Sequence, residues 1–266
     1  MNASALLIRK CRGLDEMRAC VALQKEVWGF ADIELVPLRL FVVADKIGGQ
    51  VIGAFDNHNL VGFAFAVPGV RDQHAYLYSH MLAVRQQYRN TGLGRRLKFA
   101  QRDDALGRGF DLMEWTFDPL EIKNSYFNLE RLGAIAHRYN VNQYGITSSP
   151  LQGGLPTDRL VAEWWLKSKR VDHLLTTGKN PEFIIVKTIS VPAQIYEWKA
   201  EAATRNQAQL IQEHNRDEFQ EAFASGPGSA RLSPRSTGKR RVLVGNMERA
   251  AKLEVSLCSY VRSGVD

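Results

Sequence analysis

Apolar and polar positions follow two clear periods along the first 166 residues and lose that regularity beyond them. Residues 6–9 read as a short strand. Residues 15–27 repeat apolar positions at helical spacing through Met17, Cys20, Val21, Gln24 and Val27. Pro37 can open a second helix carrying Leu38, Phe41, Val42 and Ile47, which Gly48-Gly49 stops. Residues 50–55 and 60–67 are apolar runs split by Asp56-Asn57-His58-Asn59, a hairpin signature, and 76–84 is a third extended run. A long helix is expected over 92–106, ended by Gly107 and Gly109, then a strand over 111–117 closed by Pro119. A helix over 121–132 stops at Gly133, and strands over 135–139 and 158–166 flank a Gly/Pro/Ser-rich connection, residues 140–157, long enough for a functional loop.

Strand–helix–strand crossovers within this strand-rich block predict a mixed α/β (α+β) sheet with flanking helices. No internal repeat is visible. Residues 167–226 read as a mainly helical C-terminal extension, with a strand near 183–189 and one or two helices over 192–225. Residues 227–266 read as a basic, flexible tail.

Composition narrows the class. The chain has 266 residues, 45% hydrophobic and 24% charged, which excludes fibrous and disordered classes. No apolar run approaches the roughly 20 residues of a membrane helix, and the first residues lack the pattern of a signal peptide. Cys11, Cys20 and Cys258 share no metal-ligand spacing, so free thiols, a cytoplasmic location and no metal are expected. The net charge of +7 is unevenly placed. Residues 1–226 hold 27 Lys+Arg against 25 Asp+Glu, whereas 227–266 hold 8 against 3. The basicity is a tail property and is read as solvated rather than as a nucleic-acid arm, because no nucleic-acid motif accompanies it.

The chemistry concentrates in His80-Met81-Leu82-Ala83-Val84-Arg85-Gln86-Gln87-Tyr88-Arg89-Asn90-Thr91-Gly92-Leu93-Gly94-Arg95-Arg96-Leu97. A strand ends, glycines let the chain pass close to a ligand, and a helix begins with unpaired N–H groups and a positive dipole end. This is an anion cradle suited to a pyrophosphate. It is neither a dinucleotide fingerprint, since Leu97 takes the place of the third glycine, nor a Walker loop, since no Lys-Ser/Thr pair follows. Arg89-x-x-Gly92-x-Gly94 after an apolar strand resembles the R/Q-x-x-G-x-G/A signature of the GNAT superfamily of acyl-CoA-dependent N-acyltransferases. The element order over residues 6–166 is similar to that family's.

The resemblance implies a mostly antiparallel sheet with splayed middle strands and acetyl-CoA, or another short acyl-CoA, as co-substrate. Leu82, Ala83 and Val84 would flank the thioester and pantetheine, with backbone N–H near Leu82 stabilising the oxyanion. Arg89, Asn90, Thr91, Gly92, Leu93, Gly94 and Arg95 would hold the pyrophosphate, with Arg96 as a further cation. Glu130-Arg131-Leu132-Gly133 resembles the end of the family's next helix, but Leu129 takes the place of the tyrosine that reprotonates the CoA thiolate. Tyr126, one turn earlier, is the nearest substitute, and Asn124 is a candidate for the pantetheine amides; Tyr126 and Phe127 equally suit plain core packing.

An attacking amine has to lose a proton, which calls for a base. His80 is the first candidate, since the run from His80 to Val84 is similar to arylalkylamine N-acetyltransferases, where a strand histidine serves deprotonation. A satisfied structural histidine is the other reading. Glu114 is the rival base, with His74 and His137 behind it, and Asp103-Asp104 reads as a solvated helix face. Trp28, Phe30, Glu34, Arg39, Tyr139, Asn142 and Tyr144 fall where the acceptor would enter. The expected activity is N-acyl transfer to the amine of a small molecule or amino acid, with a homodimer left open. A non-catalytic acyl-CoA sensor and an acyltransferase directed at a protein- or RNA-associated amine stand as alternatives.

Overall fold

Asp56 to Asn59 turns the chain back on itself with Asn57 at φ 54°, a left-handed conformation that asparagine tolerates. Around this hairpin the rest of the sheet is built. The computed structural model describes residues 6–182, 185–224 and 252–258, with 185–187 and 252–258 described through their backbone. Its first part runs β1 (Leu7–Lys10), α1 (Gly13–Trp28), α2 (Leu38–Lys46), β2 (Gln50–Asp56), β3 (Asn59–Arg71) and β4 (His74–Val84). It continues with α3 (Leu93–Gly107), β5 (Leu112–Phe117), α4 (Ile122–Tyr126), β6 (Ile135–Asn140) and β7 (Arg159–Trp165). These seven strands form one sheet in the order β1-β2-β3-β4-β5-β7-β6. Every neighbouring pair is antiparallel except β4–β5, the crossover through α3. The mixed sheet expected from the pattern, and its mostly antiparallel pairing implied by the family resemblance, are what the chain forms.

The two faces are covered differently. On one, α1 and α2 bury Cys20, Leu23 and Phe41 against Phe63, Phe65, Met81 and Ala83. The Phe41 ring lies 4.5 Å from that of Phe65, and full burial of such a side chain contributes roughly 1.5–3 kcal/mol. On the other face α3 lays Leu93 and Leu97 over Ile52, Ala54, Val61 and Ala64. That layer continues under β5 and β7 as Met113, Trp115, Phe117 and Trp164.

Two expectations change here. The helix expected over 121–132 keeps α geometry only in α4 and continues as a wider, π-helical turn, Phe127–Arg131. The Leu132 amide accordingly bonds five residues back, to the Phe127 carbonyl, at 3.1 Å. The C-terminal part holds α5 (Lys169–Thr177), which the pattern does not reveal, then β8 (Ile185–Pro192), α6 (Ile195–Ala200), α7 (Arg205–Ala224) and β9 (Lys252–Cys258). β8 and β9 pair antiparallel as a separate two-stranded sheet. Part of the stretch read as a basic tail is thus a strand, while residues 225–251 and 259–266 lie outside the described residues.

The extension packs on the first unit. Phe219 stacks on Tyr139 at 5.7 Å, Arg216 Nε donates to Asp158 at 2.8 Å, and Gln212 Nε2 donates to the Pro156 carbonyl at 2.9 Å. Lys199 Nζ meets Asp118 at 2.9 Å and Glu121 at 3.2 Å. These contacts brace the 140–157 connection, and a side chain at Gly153 would strike the Lys199 carbonyl.

Cys11 and Cys20 are buried free thiols with sulfurs 3.9 Å apart; the Cys258 side chain lies outside the description. Among the described residues no helix is long and apolar enough to cross a membrane.

Candidate functional site

Beyond β4 the chain makes a short 3-10 turn, Gln86–Tyr88, and then a left-handed step at Asn90 (φ 62°) and Gly92 (φ 83°) before α3 starts. The first bond closing the helix runs from the Arg96 amide to the Gly92 carbonyl, 3.1 Å. The amides of Leu93, Gly94 and Arg95 therefore have no acceptor within the helix, and no side chain caps them. A Cβ built on Gly92 would touch nothing within 4 Å, and one on Gly94 would meet only Leu82, at 3.8 Å. The turn is open over its N–H groups, the fit that a pyrophosphate needs. Its side chains brace it from behind: Arg89 Nε donates to the Val84 carbonyl at 3.1 Å and Thr91 Oγ1 to the Tyr88 carbonyl at 2.7 Å. Arg95 lies over the Phe99 ring and beside Arg131; burial, then that neighbouring cation, lowers its pKa. Arg96 turns away and donates to the Leu6 carbonyl at 2.9 Å, which takes it out of the cradle.

The same segment opens the sheet. β4 and β5 pair only at Leu77–Met113 and Tyr78–Glu114, so the β5-facing edge of residues 79–84 has no strand partner. A bulge sets this off: Phe65 pairs with Met81 but Val67 pairs with Tyr78, so Ser79 and His80 together oppose Ala66. Ser79 faces α3, where its hydroxyl bonds Gln101, and the bulge leaves His80 and Met81 both on the α1–α2 face, where the His80 ring lies 6.2 Å from Phe65 and 6.1 Å from Tyr78. Ala83 faces α1 and α2, whereas Leu82 and Val84 pack toward α3. The His80 ring is open to solvent at the cleft but surrounded by protein, and that desolvation lowers its pKa.

The residues expected where an acceptor would enter come from three regions. Trp28 and Phe30 stack at 5.9 Å. Ser148, in the 140–157 connection, receives Glu34: its amide and hydroxyl each lie 2.9 Å from that carboxylate. Ser149 Oγ donates to the Trp28 carbonyl at 2.7 Å. The connection is thus tied across to the α1–α2 loop, and it delivers Tyr144 to the splay, 3.1 Å from Tyr78 Oη and 3.3 Å from Thr116 Oγ1. Tyr139 and Asn142 instead hold the loop to Asp158. Arg39 is exposed on α2.

Glu114 does not suit the base assignment. It is buried, and Arg71 grips both carboxylate oxygens while Arg138 donates to one at 2.8 Å. Burial alone would raise its pKa, but the two guanidinium groups outweigh it and hold the carboxyl below its usual range. A carboxylate so occupied organises the sheet's polar face instead of accepting a substrate proton. His74 pairs with Asp111 at 2.9 Å and His137 with Glu163 at 3.3 Å, both away from the bulge. Asp103 is exposed, as expected of a solvated helix face, but Asp104 is half-buried and tied to Lys10, Arg108 and the buried Gln50.

Asn124 and Tyr126 are both exposed on α4, and no hydrogen bond links either to β4 or β5. Leu129 packs against the Trp115 cluster. The π-helical turn aims Asn128 inward instead, where its Oδ1 accepts from Trp115 Nε1 at 3.2 Å. The residue that sequence reasoning missed is Lys98. It lies buried on α3 in line with Leu97 and Gln101, its Nζ donating to Ser79 Oγ at 2.8 Å and standing 3.5 Å from the Trp115 ring centroid. Among the described residues no group of His, Cys, Asp and Glu side chains is arranged to hold a metal ion.

Residues 17–126 match the family model described as Acetyltransferase (GNAT) family. An acetyltransferase of the GNAT family from Desulfovibrio desulfuricans superposes with a TM-score of 0.50 at 14% identity, covering 61% of this chain and 99% of its own. The yncA protein of Salmonella typhimurium, whose structure holds its cofactor acetyl-CoA, gives 0.50 at 17%, covering 62% and 96%. At such identities the likeness concerns the fold. No curated protein matches the chain.

Proposed function

We propose that this chain, whose residues 17–126 match the Acetyltransferase (GNAT) family model, moves an acetyl or other short acyl group from acyl-CoA to the primary amine of a small molecule or amino acid. The observation that carries this reading is the open turn at the start of α3, continuous with the unpaired edge of β4. The amides of residues 90–95 would hold the pyrophosphate, and the edge of 79–84 would line the pantetheine arm. Bound there, acyl-CoA supplies the activated thioester carbon.

The chain's own residues handle position and protons. Trp28, Phe30 and Tyr144 border the place where an amine would approach His80. His80 has no hydrogen-bond partner among the described residues, and its desolvated ring is neutral to lower pH than an ordinary histidine, so its free nitrogen can take the amine's proton. Backbone N–H near Leu82 would stabilise the developing oxyanion.

Gly92→Glu tests the cradle. It forces a side chain into a left-handed position and puts an anion where the pyrophosphate would lie. Calorimetry should register at least a roughly 100-fold loss of CoA affinity, about 2.7 kcal/mol, with Gly92→Ala separating backbone strain from charge. Unchanged affinity in Gly92→Glu would overturn the reading. Leu129 in the tyrosine's place favours one second reading, a protein that binds acyl-CoA without turning it over. Release of CoA against a panel of amines separates the two.

A further inference from the structure

The place where β4 and β5 part is marked by a single side chain. The last paired residues are Tyr78 and Glu114, so the next on each strand are Ser79 and Trp115. Lys98 touches both, with its Nζ 2.8 Å from Ser79 Oγ and 3.5 Å from the centre of the Trp115 ring. The amine thus stands at the apex of the splay, 2% exposed. The groups facing it are Ser79 from β4, Trp115 from β5 and Gln101 from its own helix, and no carboxylate acts on it.

Donors exceed acceptors in this cluster. An ammonium carries three N–H groups, of which Ser79 takes one and the ring faces another. Ser79 in turn donates to Gln101 Oε1 at 2.8 Å, while Gln101 Nε2 is buried with no partner. A buried, donor-rich cluster without a counter-ion is expensive for the folded chain and is matched by an acceptor or anion arriving from outside.

Resting on the reading that acyl-CoA threads the splay, we propose that the Lys98 amine meets the CoA sulfur and protonates it as it leaves, doing the work of the tyrosine that Leu129 replaces. In that step the carbon–sulfur bond breaks, its electron pair stays on sulfur, and a proton passes from Lys98 Nζ to give the thiol. The proton lost by the acceptor amine goes to His80 and on to water, and the neutral Lys98 takes one back from water as CoA departs. Ser79 and His80 are adjacent in the bulge, so the acid and the base are presented to opposite faces of the sheet. Burial pulls the Lys98 pKa well below that of an ordinary lysine, which makes its ammonium a stronger acid.

The test compares CoA with desulfo-CoA, which lacks only the sulfur. Calorimetry at pH 8 on the wild-type protein should show CoA bound about tenfold more tightly. Lys98→Met should bring that difference to within about twofold while leaving desulfo-CoA affinity unchanged; Lys98→Gln serves if the methionine variant does not fold. A variant that keeps the preference for CoA, or a wild type that binds both equally, overturns the role of Lys98 while leaving the cradle standing. A wild type that binds neither overturns the cradle as well.

Discussion

Lys98 and Lys199 are both buried, 2% and 4% exposed, yet the protein treats them in opposite ways. Lys199 reaches from α6 into the seam between the sheet and the extension and finds Asp118 at 2.9 Å and Glu121 at 3.2 Å. Burial would lower its pKa, but the two carboxylates outweigh that and raise it. Lys98 finds a hydroxyl and an aromatic face, and burial lowers its pKa unopposed. Equal burial therefore says little about a charged side chain; the partner decides. The seam pairs its buried charges, Arg216 with Asp158 as well as Lys199 with Asp118. The splay leaves a lysine, a histidine and a strand edge unpaired. Paired charges belong to folding, and unpaired polar groups at a gap in the sheet are available for chemistry.

The most severe way to break this contrast is to remove a partner in the seam. Asp118→Ala deprives Lys199 of its nearest carboxylate and the Leu120 amide of the acceptor it holds at 2.8 Å. A buried ammonium left short of a partner destabilises by roughly 3–5 kcal/mol; Glu121 remains, which places the expected loss at about 3 kcal/mol. Urea unfolding measures it. A loss under about 1 kcal/mol would show that the seam does not depend on charge pairing.

Next in size is His80→Ala in the splay. General-base catalysis contributes typically about 10²–10⁴-fold, so kcat should fall by at least about 100-fold. Because the His80 ring opens onto the cleft and bonds nothing among the described residues, unfolding free energy should move by no more than about 0.5 kcal/mol. The wild-type rate should rise with pH through a midpoint below that of an ordinary histidine and level off at neutral pH, and the variant should lose that rise. A variant that retains the inflection would assign it to another group.

The two regions were unequally legible in the sequence. The strands of the sheet follow from apolar runs and from turn residues such as Asn57, and the cradle from Gly92 and Gly94. The bulge that puts His80 and Met81 on the same face leaves no mark in the pattern, since alternation presumes an unbroken register. Lys98 was hidden in a helix whose basic residues Arg95 and Arg96 read as pyrophosphate contacts. The usable signal was spacing: Lys98, Gln101 and Ala105 fall on the helical stripe begun by Leu97, and the sheet buries that stripe whatever its polarity. The π-helical turn at Phe127–Arg131 escaped for another reason: residues 121–132 suit an α-helix locally, and the Asn128 bond to Trp115 in the widened turn is tertiary. The extension's grip on residues 140–157 depends on pairs such as Arg216 with Asp158, 58 positions apart, which no local pattern records.

The smallest expected effect is also the sharpest discriminator between the two lysines, because the sign differs. Lys98 has a folded pKa below its unfolded value of about 10.4, so between those two values the unfolded chain holds the extra proton. Its contribution to stability therefore grows as pH rises through that window and is complete above the unfolded pKa. Lys199 has a raised folded pKa, so its contribution is fully present below the unfolded pKa and is lost as pH rises through the folded one. Subtracting the unfolding free energy of Lys98→Met from that of the wild type at each pH isolates the first term. The difference should climb with a slope of at most about 1.4 kcal/mol per pH unit up to the unfolded pKa of about 10.4. Below the folded pKa the variant should match or slightly exceed the wild type, by about 1 kcal/mol at most, since a methionine fills the same apolar space with no charge to desolvate. A difference that falls with pH would mean that Lys98 carries a stabilised proton, as Lys199 does, and the splay would then have to supply it with a counter-ion.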